Sequence, residues 1–173
     1  MYVMKIHDDV KLDFSDVLLL PRISEYSSRS EVVLERKIRF KYSPLEWVGV
    51  PIMISNMDTT GTIEMAREMQ KHKIITCLHK YYTFNDIPED LNRDYYAVTS
   101  GMKESDLANL DEIMQKVNPK LICLDVANGY MNKFIDICKT VREKYPEKII
   151  MAGNVCTSEG VLNLVMNGKV DIV

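Results

Sequence analysis

A chain of 173 residues, with 22 Lys and Arg against 25 Asp and Glu and a formal net charge of −3, can bury one real core and offers no basic surface for a nucleic-acid partner. Its composition, 46% hydrophobic and 27% charged, is that of an ordinary globular protein. No apolar run approaches the ~18 residues of a membrane span, and the stretch 1–9 is too short in apolar residues and too quickly acidic for a secretory leader, so the expected location is cytoplasmic, with no membrane partner.

In chain order, residues 1–47 read as an N-terminal arm. Leu12-Asp13-Phe14-Ser15-Asp16-Val17-Leu18-Leu19-Leu20 mixes apolar and polar positions and stops at Pro21, Ser27-Ser28-Arg29-Ser30 is a polar loop, and 32–40 alternates enough for a strand or hairpin arm. Repeating units begin near Gly49. A first strand at 52–55 precedes a helix from about Thr62 to Lys71, and a second strand at 74–78 precedes a short helix from about Asn85, interrupted by Pro88. A third strand at 96–99 leads to a helix with Ser105 as N-cap and Leu107, Leu110, Met114 and Val117 on one face. The fourth strand, 121–124, precedes the clearest helix, in which Phe134, Cys138, Val141 and Tyr145 recur at helical spacing. The fifth, 149–152, precedes a helix starting at Thr157, and Val170-Asp171-Ile172-Val173 opens a sixth.

Continuous apolar strands alternating with helices predict a parallel α/β fold. An open doubly wound sheet ordinarily carries a Gly-rich phosphate turn after its first strand; here that turn is Asn56-Met57-Asp58-Thr59-Thr60-Gly61. The expectation is therefore a (β/α)8 TIM barrel, of which the chain holds the arm (1–47) and about the first five to six strands (48–173), with the remainder of the barrel lying beyond residue 173.

In such a barrel the chemistry sits where the strands end, which makes Asn56, Asp58, Lys80, Ser100, Asp125, Asn128 and Asn154 a candidate rim. Lys80 can donate a proton or bind phosphate, since a lysine shifts its pKa readily when buried. Asp125 can orient a ligand or relay a proton, beside a Gly129 that permits close backbone approach. Asn56 and Asp58 are read evenly as turn or cap residues of the first helix and as ligand-positioning groups, and Asp125 has the alternative of capping the fourth helix. Asn154 can both donate and accept. His79 reads as a packed histidine. Cys77, Cys123 and Cys138 read as small buried hydrophobes, and Cys156 falls just past a strand end. The basic clusters at 36–39 and 71–73 read as solvated faces.

The rim and arm segments together resemble the GMP reductases of the inosine monophosphate dehydrogenase/GMP reductase family: Asn56-Met57-Asp58-Thr59-Thr60-Gly61-Thr62, His79-Lys80-Tyr81-Tyr82, Leu124-Asp125-Val126-Ala127-Asn128-Gly129-Tyr130, Met151-Ala152-Gly153-Asn154-Val155, and the arm segments Lys11–Leu19 and Ser28–Val32. The dehydrogenases share the fold, but they usually carry an inserted pair of regulatory domains for which the interval from Lys80 to Tyr96 leaves no room, and Asp-Val-Ala-Asn-Gly-Tyr is the reductase form of the fourth-strand motif.

The resemblance implies GMP + NADPH + H⁺ → IMP + NH₃ + NADP⁺ through a covalent cysteine thioimidate. It implies that Lys80 and Asp125 support proton transfer, that Lys80, Asp125, Val126 and Ala127 meet the cofactor, and that Ser28 and Arg29 reach the distal phosphate end of NADPH from a neighbouring subunit. Asn56, Asp58, Ser100, Asn128, Gly129 and Asn154 would support the substrate site and its loops, in a homotetramer. The nucleophilic cysteine and a potassium ion would belong to the part beyond Val173, leaving this segment alone inactive and without a metal. The alternatives are an inosine monophosphate dehydrogenase-like oxidoreductase and a truncated, non-catalytic nucleotide-binding fragment.

Overall fold

The computed structural model describes residue 6 and residues 8–173; most of the apolar stretch read above against a leader, at 1–5, lies outside them. The described chain divides into one unit ending at Val33 and another running Leu34–Val173. In the first, Asp13 and Asp16 cap each other around a single turn at Phe14–Asp16, and the Ser28 hydroxyl accepts the Ser30 N–H at the start of a second turn at Arg29–Glu31. Neither turn buries a residue, and Leu18, Leu19 and Ile23 are fully exposed.

The second unit opens with an antiparallel hairpin of β1 (Arg36–Arg39) and β2 (Glu46–Gly49), with Ile38 opposite Trp47. Five parallel strands follow in sequential order: β3 (Met53–Ile54), β4 (Ile75–Leu78), β5 (Tyr96–Ser100), β6 (Leu121–Asp125) and β7 (Ile149–Gly153). The helices between them are α1 (Ile63–Met69), α2 (Glu104–Lys116) and α3 (Asn132–Lys144), and α4 (Ser158–Met166) leads to a parallel bridge of Ile172 with Met151, the beginning of a sixth strand. This is a curled parallel sheet with helices on its outside, the first part of a (β/α)8 barrel.

Strands β4 to β7 read as unbroken apolar runs because both of their faces are buried. Outward, Leu78, Val98, Ile122 and Ile150 pack against Leu110, Phe134, Cys138 and Leu164 of the helices. Inward, Ile75, Cys77, Ala97, Cys123 and Ile149 form a second cluster closed by Trp47. The hairpin that the sequence reading placed in the arm thus belongs to the barrel unit. Trp47 is 3% exposed and donates its indole N–H to the Asp94 carbonyl at 2.7 Å, just before β5 begins.

Two helix expectations change. No helix forms from Asn85. Pro88 lacks an N–H and biases Ile87 away from helical backbone, so the link consists of turns, one held by the Asp86 carboxylate accepting from the Thr83 N–H and hydroxyl at 2.7 Å, with Ile87 and Leu91 anchored in the outer core between sheet and helices. The N-cap of α2 is Lys103, not Ser105; the Asp106 carboxylate reaches back to the Lys103 N–H, pulling the start of the helix forward. Thr157 does cap α4, accepting the Gly160 N–H at 3.1 Å.

Candidate functional site at the strand ends

Asn56 follows β3 and Asp125 ends β6. In a flat sheet three strand spacings would separate these strands by roughly 14 Å. Yet the Asn56 amide Nδ2–H donates to Asp125 Oδ2 at 2.9 Å. The bond closes because the sheet curls and side chains on its concave side converge. Neither residue serves as a helix cap: Thr62 caps α1, accepting the Met65 N–H at 3.2 Å, and α3 starts at Met131 without a side-chain cap. The capping roles weighed for these two residues are therefore not the ones they fill.

Below them lies a cleft of about 220 Å³, lined by Asn56, Asp125, Asn154 and Met151 and floored by Cys77 and Cys123. The Cys123 thiol is pushed well above its ordinary range by the Cys77 sulfur beside it and by burial. The same contact acts in the opposite direction on its neighbour: the hydrogen bond with Cys123 lowers the Cys77 thiol from its ordinary value. Among the described residues no cluster of His, Cys, Asp and Glu could hold a metal ion.

The other rim residues occupy different places. Lys80 lies two residues past β4, exposed, its ammonium 5.6 Å from the centre of the Tyr81 ring; among the described residues no hydrogen bond or ion pair joins it to Asp125. Asp58 is exposed in the turn 57–61, which is closed by the Gly61 N–H on the Met57 carbonyl at 2.7 Å. Gly61 is required there, since a Cβ would stand 2.3 Å from the Cys77 carbonyl. Ser100 shares the outward face of β5 with Val98, is 1% exposed, and bonds only the neighbouring Gly101 carbonyl. Thr99 faces inward instead, its buried hydroxyl set beside the Cys123 thiol. Strand parity alone, counted from Ala97, carries that signal.

Asn128 accepts the Tyr130 N–H at 3.1 Å, an Asx turn that shapes the loop after β6. Val126, Gly129 and Asn154 enter backbone bonds that tie this loop to the end of β7. Ala127 is exposed between them. His79 is packed: its ring stacks on Tyr82 at 3.9 Å. Ser28 and Arg29 are exposed in the first unit. Of the cysteines, only Cys156 is exposed.

The family profile described as IMP dehydrogenase / GMP reductase domain matches residues 11–173. The chain belongs to this family. Within the IMP dehydrogenase/GMP reductase family, it is 46% identical over 177 residues to GMP reductase 1 of Mus musculus, covering 98% of this chain and 50% of that protein. It is 42% identical to GMP reductase of Caenorhabditis elegans, covering 98% and 49%, and 41% identical to GMP reductase of Buchnera aphidicola, covering 98% and 50%. The chain therefore spans about half the length of the curated relatives it matches. Among solved structures it superposes on inosine 5′-monophosphate dehydrogenase of Legionella pneumophila with a TM-score of 0.71 at 26% identity, covering 90% of this chain and 47% of that one. No helix of the described residues is long and apolar enough to cross a membrane.

Proposed function

We propose that the chain is the N-terminal part of an NADPH-dependent GMP reductase, which removes the 2-amino group of GMP as ammonia and replaces it with hydride to give IMP. The observation that carries the reading is sustained identity to proteins named GMP reductase across nearly the whole chain, 41–46% for the mouse, worm and bacterial relatives. The site supports it, because an amide–carboxylate pair stands over a cleft at the strand ends.

In this reading the nucleophilic cysteine, its thioimidate with the purine, and a potassium site are supplied by sequence following Val173, and the active protein is a cytoplasmic homotetramer. The donor chemistry of the cleft suits the cofactor, since an amide and a carboxylate can both bond a carboxamide head group. When bound, NADPH supplies the hydride. Asp125, Val126 and Ala127 form the wall for its nicotinamide end. Asn56 fixes the Asp125 carboxylate so that it accepts a proton from one direction. Lys80, on its exposed turn, is free to swing its ammonium toward the departing amine and protonate it. Ser28 and Arg29 meet the phosphate end of a cofactor held by a neighbouring subunit, where a guanidinium can bond a phosphate through two parallel N–H groups.

The deciding experiment mixes the complete protein with GMP and NADPH and follows loss of the reduced-nicotinamide absorbance together with ammonia. Consumption of both is expected. Reduction of NAD⁺ in the presence of IMP instead would move the protein to the dehydrogenase branch, and no turnover in either direction would leave it a nucleotide-binding fragment.

A further inference from the structure

The loop after β6 is fastened to the segment after β7 by bonds that continue the strand ladder past its end. The Val126 N–H donates to the Gly153 carbonyl, the Asn154 N–H to the Val126 carbonyl and the Gly129 N–H to the Asn154 carbonyl, each at 2.8 Å. Tyr130 completes the series with its side chain. Its hydroxyl accepts the Cys156 N–H at 2.8 Å and hydrogen-bonds the Thr157 hydroxyl at 3.0 Å, with the Cys156 sulfur 3.5 Å away. The seat is cut to the ring: a Cβ on Gly160 would lie 2.8 Å from Tyr130 Cε1, and one on Gly129 would lie 2.8 Å from the Asn154 carbonyl. Tyr130 is 44% exposed, so burial of its ring is not what this arrangement serves. What its hydroxyl secures is the register of one rim loop against the next.

We propose that Tyr130 is a positioning residue, whose hydroxyl locks residues 126–129 against 154–157 and thereby sets where Val126 and Ala127 meet the reductant. The kinetic consequence rests on the NADPH-dependent reading given above; the lock does not. Without the hydroxyl the Cys156 N–H loses its partner, the two loops part more readily, and the backbone that faces the nicotinamide end spends less time in its binding geometry. The loss falls first on the reductant, because Val126 and Ala127 are the residues this reading gives to its nicotinamide end.

Tyr130→Phe in the complete protein removes one oxygen and leaves the ring in its seat, and Cys156 is a natural reporter beside it. Alkylation of Cys156 by iodoacetamide, followed by peptide mass spectrometry so that other thiols do not interfere, is expected to accelerate roughly three- to tenfold on loss of this hydrogen bond. KM for NADPH is expected to rise by a similar factor while KM for GMP stays within about twofold. An unchanged alkylation rate overturns the lock. Faster alkylation with an unchanged KM for NADPH, or an equal rise in both KM values, overturns the positioning role. If the unsubstituted protein shows no NADPH-linked turnover of GMP, the parent reading fails, while the alkylation rates still decide the lock.

Discussion

Lys80 and Asp125 show how differently two residues on one rim are held. Asp125 is half-buried and takes an amide hydrogen bond from a strand three places away. Lys80 stands in solvent against one face of Tyr81. An exposed ammonium keeps its rotamer freedom until a ligand arrives, which suits a group that must reach a leaving amine and then withdraw. Under the proposed reaction, Lys80→Ala in the complete enzyme is expected to lower kcat by roughly 10² to 10⁴, the usual worth of a general acid, with GMP affinity near normal. Unchanged turnover would remove Lys80 from the chemistry. Ser100 and Thr99 make the complementary point. The sequence shows two adjacent hydroxyls at a strand end, and only the alternation of the strand decides which one faces inward.

At the scale of elements, what could be read from the sequence follows from how each element is stabilised. Strands buried on both faces announce themselves as apolar runs, and β4 to β7 fall within a residue or two of expectation. The helical stripe of Phe134, Cys138 and Val141 was legible because every member packs on the same sheet. The turn region after β4 was not, because its conformation is set by Asp86 and by a proline rather than by a repeating pattern. The bond from Asn56 to Asp125 depends on the curl of the whole sheet, which no local window contains. Burial also sets a pH limit on these layers. It pushes the Cys138 thiol and the Tyr96 phenol each up to about 12, from ordinary values of 9.0 and 10.0. Both groups are neutral when folded and ionise more easily once unfolded. Their contribution is fully present below pH 9, and is progressively lost as pH rises through the window from 9 to 12. Denaturant midpoints measured across that window are expected to fall, and a Cys138→Ala variant to fall less steeply. Identical slopes would assign the loss elsewhere.

Across the whole barrel unit, Asp171 ties together segments far apart in the chain. One of its carboxylate oxygens accepts the N–H groups of Tyr42 and Ser43 at 2.9 and 3.1 Å, and the other accepts the Ile150 N–H at 3.1 Å and pairs with the Arg142 guanidinium. Arg142 in turn donates to the carbonyls of Pro146, Lys148 and Lys169. The side chains are 0% and 9% exposed, so removing the cation leaves a buried carboxylate short of its partner. Arg142→Met is expected to cost roughly 3–5 kcal/mol of unfolding free energy, measured by denaturant titration. A loss below about 1 kcal/mol, the value of a surface pair, would mean that the three backbone donors hold Asp171 unaided.

Tyr42 and Ser43 lie 129 and 128 positions before Asp171 in the chain. The hairpin that seals one end of the inner core by inserting Trp47 therefore cannot be clasped until residue 171 has left the ribosome. Early in synthesis the indole can settle among whatever strands have emerged, but its loop gains this anchor only after the crossover through α4 is complete. Translation order thus gives the growing polypeptide a late latch, joining the loop of its hairpin to the start of its sixth stave.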